Sequence, residues 1–248
     1  MALYALGDLH LHFQAAVRSM PMLQSPAWRG HEEKFRRNCL ERITPRDTLV
    51  LLGDHSLGKK LGECEKDLEY IMSLPGQKVL LRGNHDQFWD VKKTSALNER
   101  FKDRLFFLQN NYFAYRDVAL VGTKGYTFEG PFYLDRRGRI TGWDEEEAVR
   151  AEALVARELE RLRTSFEAAR RDGYRRFLMF LHYPPTSVLE ERSGFTEMAE
   201  EYGAEQVLYA HCHGVSRFRD SLQGRVNGIE YRLLSGDYLL WQPMKLMI

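Results

Sequence analysis

Ten residues of the kinds that bind metal ions or move protons fall in five short clusters. Asp8 and His10 follow one apolar run, Asp54 and His55 a second, and Asn84, His85 and Asp86 a third. His182 follows a fourth, and His211 and His213 a fifth. Each cluster alone has an ordinary explanation, since an Asp after a strand caps turns and a lone buried His is commonly just hydrogen-bonded. Five strand ends that all deliver such a group point instead to one shared site, because open α/β sheets build their sites at the carboxyl ends of strands. Oxygen and imidazole donors without thiolate suit divalent Mn, Fe, Zn or Co. Seven of them, Asp8, His10, Asp54, Asn84, His182, His211 and His213, exceed what one tetrahedral ion uses. They match two ions roughly 3.5–4 Å apart that share a carboxylate.

The stretch "LYALGDLHLHF" (3–13) spaces Asp8, His10 and His12 by twos, which places all three on one side of an extended chain. That spacing admits a solvated strand end, a hydrogen-bonded core cluster or metal ligands. His12 suits the rim or the following loop, and His31 and His55 also lie outside the ligand set, although His55 adjoins Asp54. Cys212 stands between two candidate ligands, but alternation turns it away from them, as a packed small thiol.

The elements that must position these groups are short apolar runs at 2–7, 48–53, 77–82, 118–122, 177–181 and 206–210. They lack polar alternation, as strands covered on both faces do. Amphipathic segments at 32–42, 62–73 and 88–100 read as helices. The longest helical pattern, 143–171, places Val149, Ala156, Leu159, Leu162, Phe166 and Ala169 on one stripe and stops at Gly173. It suits a helix laid across a sheet, with a coiled-coil seam as the alternative. Residues 225–241, with Asn-Gly and Ser-Gly-Asp, suggest closing antiparallel strands. No repeat or linker divides the 248 residues, so one α/β domain spanning 1–248 is expected.

A net charge of +1 gives no global field toward nucleic acid or an anionic membrane. Three cysteines, Cys39, Cys64 and Cys212, make no disulfide framework and fit a reducing compartment. No run approaches a membrane span and no leader precedes Asp8, so a cytoplasmic protein is expected.

Gly7-Asp8-Leu9-His10, Gly53-Asp54, Gly83-Asn84-His85-Asp86, His182 and His211-Cys212-His213 together resemble the five blocks of the calcineurin-like metallophosphoesterase superfamily. "VLLRGNHD" (79–86) is also similar to a block of the phosphoprotein phosphatases, and the longer stretch 67–89 to a group of stand-alone bacterial phosphohydrolases. The resemblance implies a four-layer α/β/β/α sandwich of two mixed sheets flanked by helices. It implies that Asp8, His10 and His213 hold one ion, that Asn84, His182 and His211 hold the other, and that Asp54 bridges them. It further implies His85 as proton donor, backed by Asp86. The sequence departs from the family pattern at Ala210, where glycine is usual, and after Asp54, where His55-Ser56-Leu57 contains no second acidic residue.

The expected activity is hydrolysis of a phosphate mono- or diester by hydroxide activated between two divalent ions (Mn, Fe or Zn), acting on a small phosphorylated substrate. Asp86 would orient the His85 ring and raise its pKa. Arg82 would clamp a phosphate oxygen, or form a strand-end salt bridge. Loops 13–31 and 124–142 either shape specificity or merely cover the surface. A nuclease of the same superfamily is one rival, with Arg136, Arg137 and Arg139 as its only basic loop cluster. A non-catalytic metal-binding scaffold with this fold is the other, and it should have lost ligands that this chain keeps.

Overall fold

The computed structural model describes residues 1–15, 20–127, 129–130, 132–137, 139–187 and 191–248. Parts of loops 13–31 and 124–142 therefore lie outside the described residues. In chain order the elements are β1 (Leu3–Leu6), α1 (His31–Arg42), β2 (Thr48–Leu52), α2 (Glu65–Ser73), β3 (Gln77–Leu81), α3 (Thr94–Arg100), β4 (Leu105–Leu108), β5 (Tyr112–Tyr115), β6 (Val118–Thr123), β7 (Phe132–Leu134), β8 (Ile140–Trp143), α4 (Glu145–Arg171), β9 (Arg176–Leu181), α5 (Gly194–Tyr202), β10 (Ala204–Tyr209), α6 (Gly214–Arg219), β11 (Gly224–Val226), β12 (Ile229–Leu233) and β13 (Met244–Leu246).

The unbroken apolar runs are explained by burial on two sides. In β1 and β2, Tyr4, Leu6, Leu49 and Leu51 face a core shared with Phe35 and Cys39 of α1, Leu68 and Ile71 of α2, and Leu97 of α3. The alternate residues Leu3, Ala5, Val50 and Leu52 face the second sheet, where they meet Val118, Leu120, Leu178, Phe180 and Leu208. That second sheet turns Val121, Met179 and Val207 outward against Leu162 and Phe166 of α4 and Phe195 and Met198 of α5. Helices, sheet, sheet, helices make four layers, as the family resemblance implied. Each leucine fully withdrawn from water this way contributes about 1.5–3 kcal/mol before entropy is counted.

One sheet has the order β13-β1-β2-β3-β4 and the other β11-β12-β10-β9-β6-β5, with β7-β8 a separate pair. The β1-β2-β3-β4 and β12-β10-β9-β6 runs are parallel, and the edge strands β13, β11 and β5 are antiparallel. All the parallel strands therefore direct their carboxyl ends the same way within each sheet, and the inter-sheet core brings both sets together.

Several expectations shift in detail. The 88–100 helix begins only at Thr94, because Asp90 first caps a short 3-10 turn by accepting from the Lys92 amide (3.0 Å). Val149 is 65 % exposed, so the buried stripe of α4 starts at Ala151 instead. The C-terminal stretch makes one hairpin, β11-β12, around Asn227 (φ 50°) and Gly228 (φ 85°). Both residues in the left-handed region is what a tight two-residue hairpin turn requires. The Ser235-Gly236-Asp237 turn is not part of that hairpin; it runs back to the strand ends that carry the site.

Candidate metal centre

Four of the candidate ligands sit in strained backbone. Asp8 (φ 65°), His10 (φ 43°), Asp54 (φ 53°) and His211 (φ 68°) all occupy the left-handed region. Non-glycine residues there cost on the order of 1 kcal/mol or more and persist where surrounding bonds hold them. Here the loops are laced together: the Asp8 amide donates to Gly53 O (3.1 Å), His10 to Asp54 O (2.7 Å), and Ala210 to His182 O (3.1 Å). Gly83 is required by close approach, since a Cβ there would meet Asp54 Oδ1 at 2.1 Å and the Asp54 amide at 2.3 Å. Ala210 keeps φ out of the left-handed region, and Gly7 opposite it leaves room, because a Cβ on Gly7 would meet the Ala210 Cβ at 2.5 Å.

The candidate side chains converge. Asp8, His10 and His213 form one group whose donor atoms lie within 4.8 Å of one another, and Asp54, His182 and His211 form a second. His10, Asp54 and His85 form a third that overlaps the first two. Asn84 Oδ1 lies 2.7 Å from His182 Nε2, which brings it to the second group. Asp54 occupies the middle. Its Oδ1 accepts from the His85 amide (2.8 Å), while its Oδ2 faces His10 Nε2 at 3.5 Å and His182 Nε2 at 3.4 Å.

Neighbouring groups fix which nitrogen each ring presents. His182 Nδ1 donates to the Leu52 carbonyl (2.8 Å), so Nε2 is the nitrogen that faces Asn84 Oδ1 (2.7 Å) and Asp54 Oδ2 (3.4 Å). His213 Nδ1 pairs with Asp237 (3.0 Å), turning Nε2 toward Asp8. His211 directs Nδ1 to His182 Nε2 (3.2 Å), with Glu129 3.6 Å behind its Nε2. Carboxylates behind ligand imidazoles orient the ring and raise its basicity.

Charge is concentrated here at buried positions. Burial lifts the Asp8 carboxyl above its usual range, against the opposing pull of His213 and His182. For Asp54 burial acts the same way, but His182, His10 and His85 outweigh it and hold the carboxyl well below that range. Burial lowers His10 to about 3 despite Asp54, so this ring is neutral. Burial also disfavours the His182 cation, yet Asp54 and Asp8 prevail and raise it to about 9.

His10 supplies the test of whether these residues fit metal ions. Its ring is 1 % exposed and neither nitrogen has a hydrogen-bond partner among the described residues. A buried imidazole with no partner is costly; a cation coordinated at Nε2 removes that cost, and neutral imidazole is the ligand form. The donor set of carboxylate, amide and imidazole suits borderline divalent ions.

A family model described as calcineurin-like phosphoesterase matches residues 1–215. The chain belongs to the calcineurin-like phosphoesterase family. No curated protein sequence matches it. A phosphopantetheinyl hydrolase from Mycobacterium tuberculosis is similar in structure, with TM-score 0.51 and 11% identity over 99% of this chain and 95% of that one. So is a protein of unknown function from Aquifex aeolicus, at TM-score 0.49 and 15% identity over 98% and 95%. A protein from Thermus thermophilus gives 0.47 and 11% over 85% and 81%. At 11% identity the likeness to the hydrolase shows the fold alone.

In this chain, two expected contacts take another form. Asp86 does not back His85. Its carboxylate accepts from the amides of Asp54 (2.9 Å), His55 (2.8 Å) and Gly83 (2.8 Å) and from His55 Nδ1 (2.9 Å). It therefore holds the Asp54 loop against the Asn84 loop, and its partner ring is His55. Arg82 makes no salt bridge among the described residues; its Nε donates to Trp89 O (2.8 Å). His85 is half-buried, its ring 5.2 Å from that of His10, with no side-chain hydrogen bond among the described residues.

His12 is exposed, outside the centre, and bonds its own neighbour His10 O (2.9 Å). His31 is buried between Leu9 O (2.7 Å) and Trp28 O (2.9 Å), so it braces the first ligand loop. Cys212 is buried in the outer core of the second sheet. Sequence reasoning did not find Asp237, Glu129 or the role of Trp28, whose ring packs on His10 (5.4 Å) and His213 (5.2 Å) and walls one side of the centre. The signals present were the Ser-Gly-Asp turn and a lone Trp in loop 13–31.

Proposed function

We propose that the protein hydrolyses a phosphate mono- or diester with two divalent ions, Mn, Fe or Zn. Asp8, His10 and His213 would hold one ion, Asn84, His182 and His211 the other, with Asp54 between the two groups. The observation that carries this reading is the placement of Asp54 Oδ2, 3.5 Å from His10 Nε2 and 3.4 Å from His182 Nε2, between the two donor groups. When bound, two such ions supply Lewis-acid charge for the phosphoryl oxygens and make water nucleophilic near neutral pH.

The chain's own residues do the rest. Among the described residues the His85 ring makes no hydrogen bond, and it lies beside His10 and Asp54, which suits it to protonate the departing oxygen. Asp86 acts at one remove by fixing the Asp54 and Asn84 loops. The terminal nitrogens of Arg82 have no acceptor among the described residues and are available to a substrate oxygen. Trp28 and the inter-sheet core exclude bulk water on one side.

We place this activity in one domain spanning 1–248, a reading supported by the pairing of β13 with β1. We also place it in the cytoplasm, supported by three buried, unpaired cysteines. No helix among the described residues is long and apolar enough to cross a membrane. Of the loop arginines behind the nuclease reading, Arg139 is already paired with Asp135 (2.7 Å) at an exposed position.

The test is release of p-nitrophenol from bis(p-nitrophenyl) phosphate and p-nitrophenyl phosphate. Protein reconstituted with Mn²⁺ is expected to turn over at least one of them. Chelator treatment should remove the activity, and added Mn²⁺ should restore it. Absence of turnover with Mn²⁺, Fe²⁺ and Zn²⁺ alike would overturn the reading.

A further inference from the structure

The end of β6 places a cation beside the metal centre that the proposed chemistry does not use. Lys124 is only 8 % exposed. Its ammonium lies over the rings of Tyr183 (4.9 Å) and Tyr126 (5.4 Å), and the Tyr183 ring packs at 4.1 Å on His211. Its carbonyl accepts from the amides of His182 (3.1 Å) and Tyr183 (2.9 Å), which fixes this residue to the ligand loop. Among the described residues the ammonium has no hydrogen bond and no ion pair.

The surroundings are cationic. Burial is the leading reason that the Lys124 ammonium is lowered to about 8, and Arg82, Arg157 and Arg161 push it the same way. Glu158 opposes them, but it is fully buried and already accepts from Thr123 Oγ1 (2.6 Å) and Arg161 (2.6 Å). Arg82 belongs to this group because the ends of β3 and β6 abut: a Cβ on Gly122 would meet Leu81 Cδ1 at 2.9 Å. Glu158 is thus shared with Arg157 (3.6 Å) and Arg161 (2.6 Å), and the other nearby carboxylate, Glu129, is engaged by Arg217 and faces His211 (3.6 Å), so neither is paired with Lys124.

A buried ammonium lacking an acceptor is costly. Aromatic faces offset only about 0.5–2 kcal/mol of that cost. The two ions of the proposed centre already answer the charge of the phosphate being cleaved, so these cations have a different counterpart. A dianion suits more than one cation better than a carboxylate does.

We propose that Lys124, with Arg82 beside it, binds a second phosphate group of the substrate, apart from the ester phosphate being hydrolysed. The proposal rests on the phosphoesterase reading and narrows its substrate class to phosphoesters carrying another phosphate.

A matched pair of esters tests it: thymidine 5′-(p-nitrophenyl phosphate) with and without a 3′-phosphate, each assayed with Mn²⁺-loaded protein. Wild type is expected to favour the 3′-phosphorylated ester by about tenfold in kcat/KM, the scale of one charge-assisted hydrogen bond. Lys124→Met should bring that ratio near one, and Lys124→Arg should keep most of it. The ratio is the readout because general damage to the fold lowers both rates together. A wild-type ratio near one, or a ratio that survives in Lys124→Met, overturns the proposal while leaving the phosphoesterase reading intact. Hydrolysis of neither ester by a wild-type protein that still turns over p-nitrophenyl phosphate overturns the proposal alone, and absence of turnover on all of these substrates overturns both.

Discussion

Asp54→Asn is expected to abolish the paired metal site and to lower kcat on any phosphoester by at least about 10³-fold, the scale on which loss of a principal electrostatic contributor acts. The substitution is nearly isosteric, and the new amide oxygen can still accept from the His85 amide where Oδ1 does now (2.8 Å). The loop therefore keeps its shape. What changes is the atom between His10 and His182: a carboxylate oxygen held ionised chiefly by His182 becomes an NH₂ group or an uncharged oxygen. An amide supplies no negative charge to offset two adjacent cations, and its hydrogens repel them. Metal analysis after gel filtration should show fewer ions per chain than wild type. Retention of two ions together with wild-type turnover would refute the bridging role.

His85→Asn should separate binding from chemistry. The ring is no member of either principal ligand group, and its backbone amide, not its side chain, bonds Asp54. Metal content should therefore stay at the wild-type value. Turnover of an alkyl phosphoester should fall about 10²–10⁴-fold, the usual contribution of general acid catalysis. A p-nitrophenyl ester should suffer much less, because nitrophenolate departs without needing a proton. Equal losses on both esters would assign His85 a binding role instead. Full activity on the alkyl ester would remove it from the mechanism.

An α/β fold with covered strands was legible because β1, β2, β3 and β9 carry no polar alternation and end sharply in ligand-type residues, whereas the four-layer arrangement of two sheets was implied only by the family resemblance. The edge strands β4 and β5 were not, since four residues such as Leu105–Leu108 do not separate a strand from a helix turn by periodicity. The convergence of Asp8, His10, Asp54, Asn84, His182, His211 and His213 was legible through chain order and block spacing. The partners behind them were not. Asp86 lies next to His85 in sequence, yet its carboxylate folds back onto amides 31 and 32 positions earlier. Asp237 reaches His213 from 24 residues away through a turn that carries no chemistry of its own. Such second contacts depend on where loops return after the sheets have formed, which local sequence does not encode.

The central claim is that one carboxylate joins two metal positions built from separate strand ends. Anomalous scattering from crystals of the Mn²⁺-loaded protein tests it most directly. Two peaks are predicted roughly 3.5–4 Å apart, one against Asp8, His10 and His213, the other against Asn84, His182 and His211, with Asp54 touching both. A single peak, none, or two peaks without Asp54 between them would contradict it.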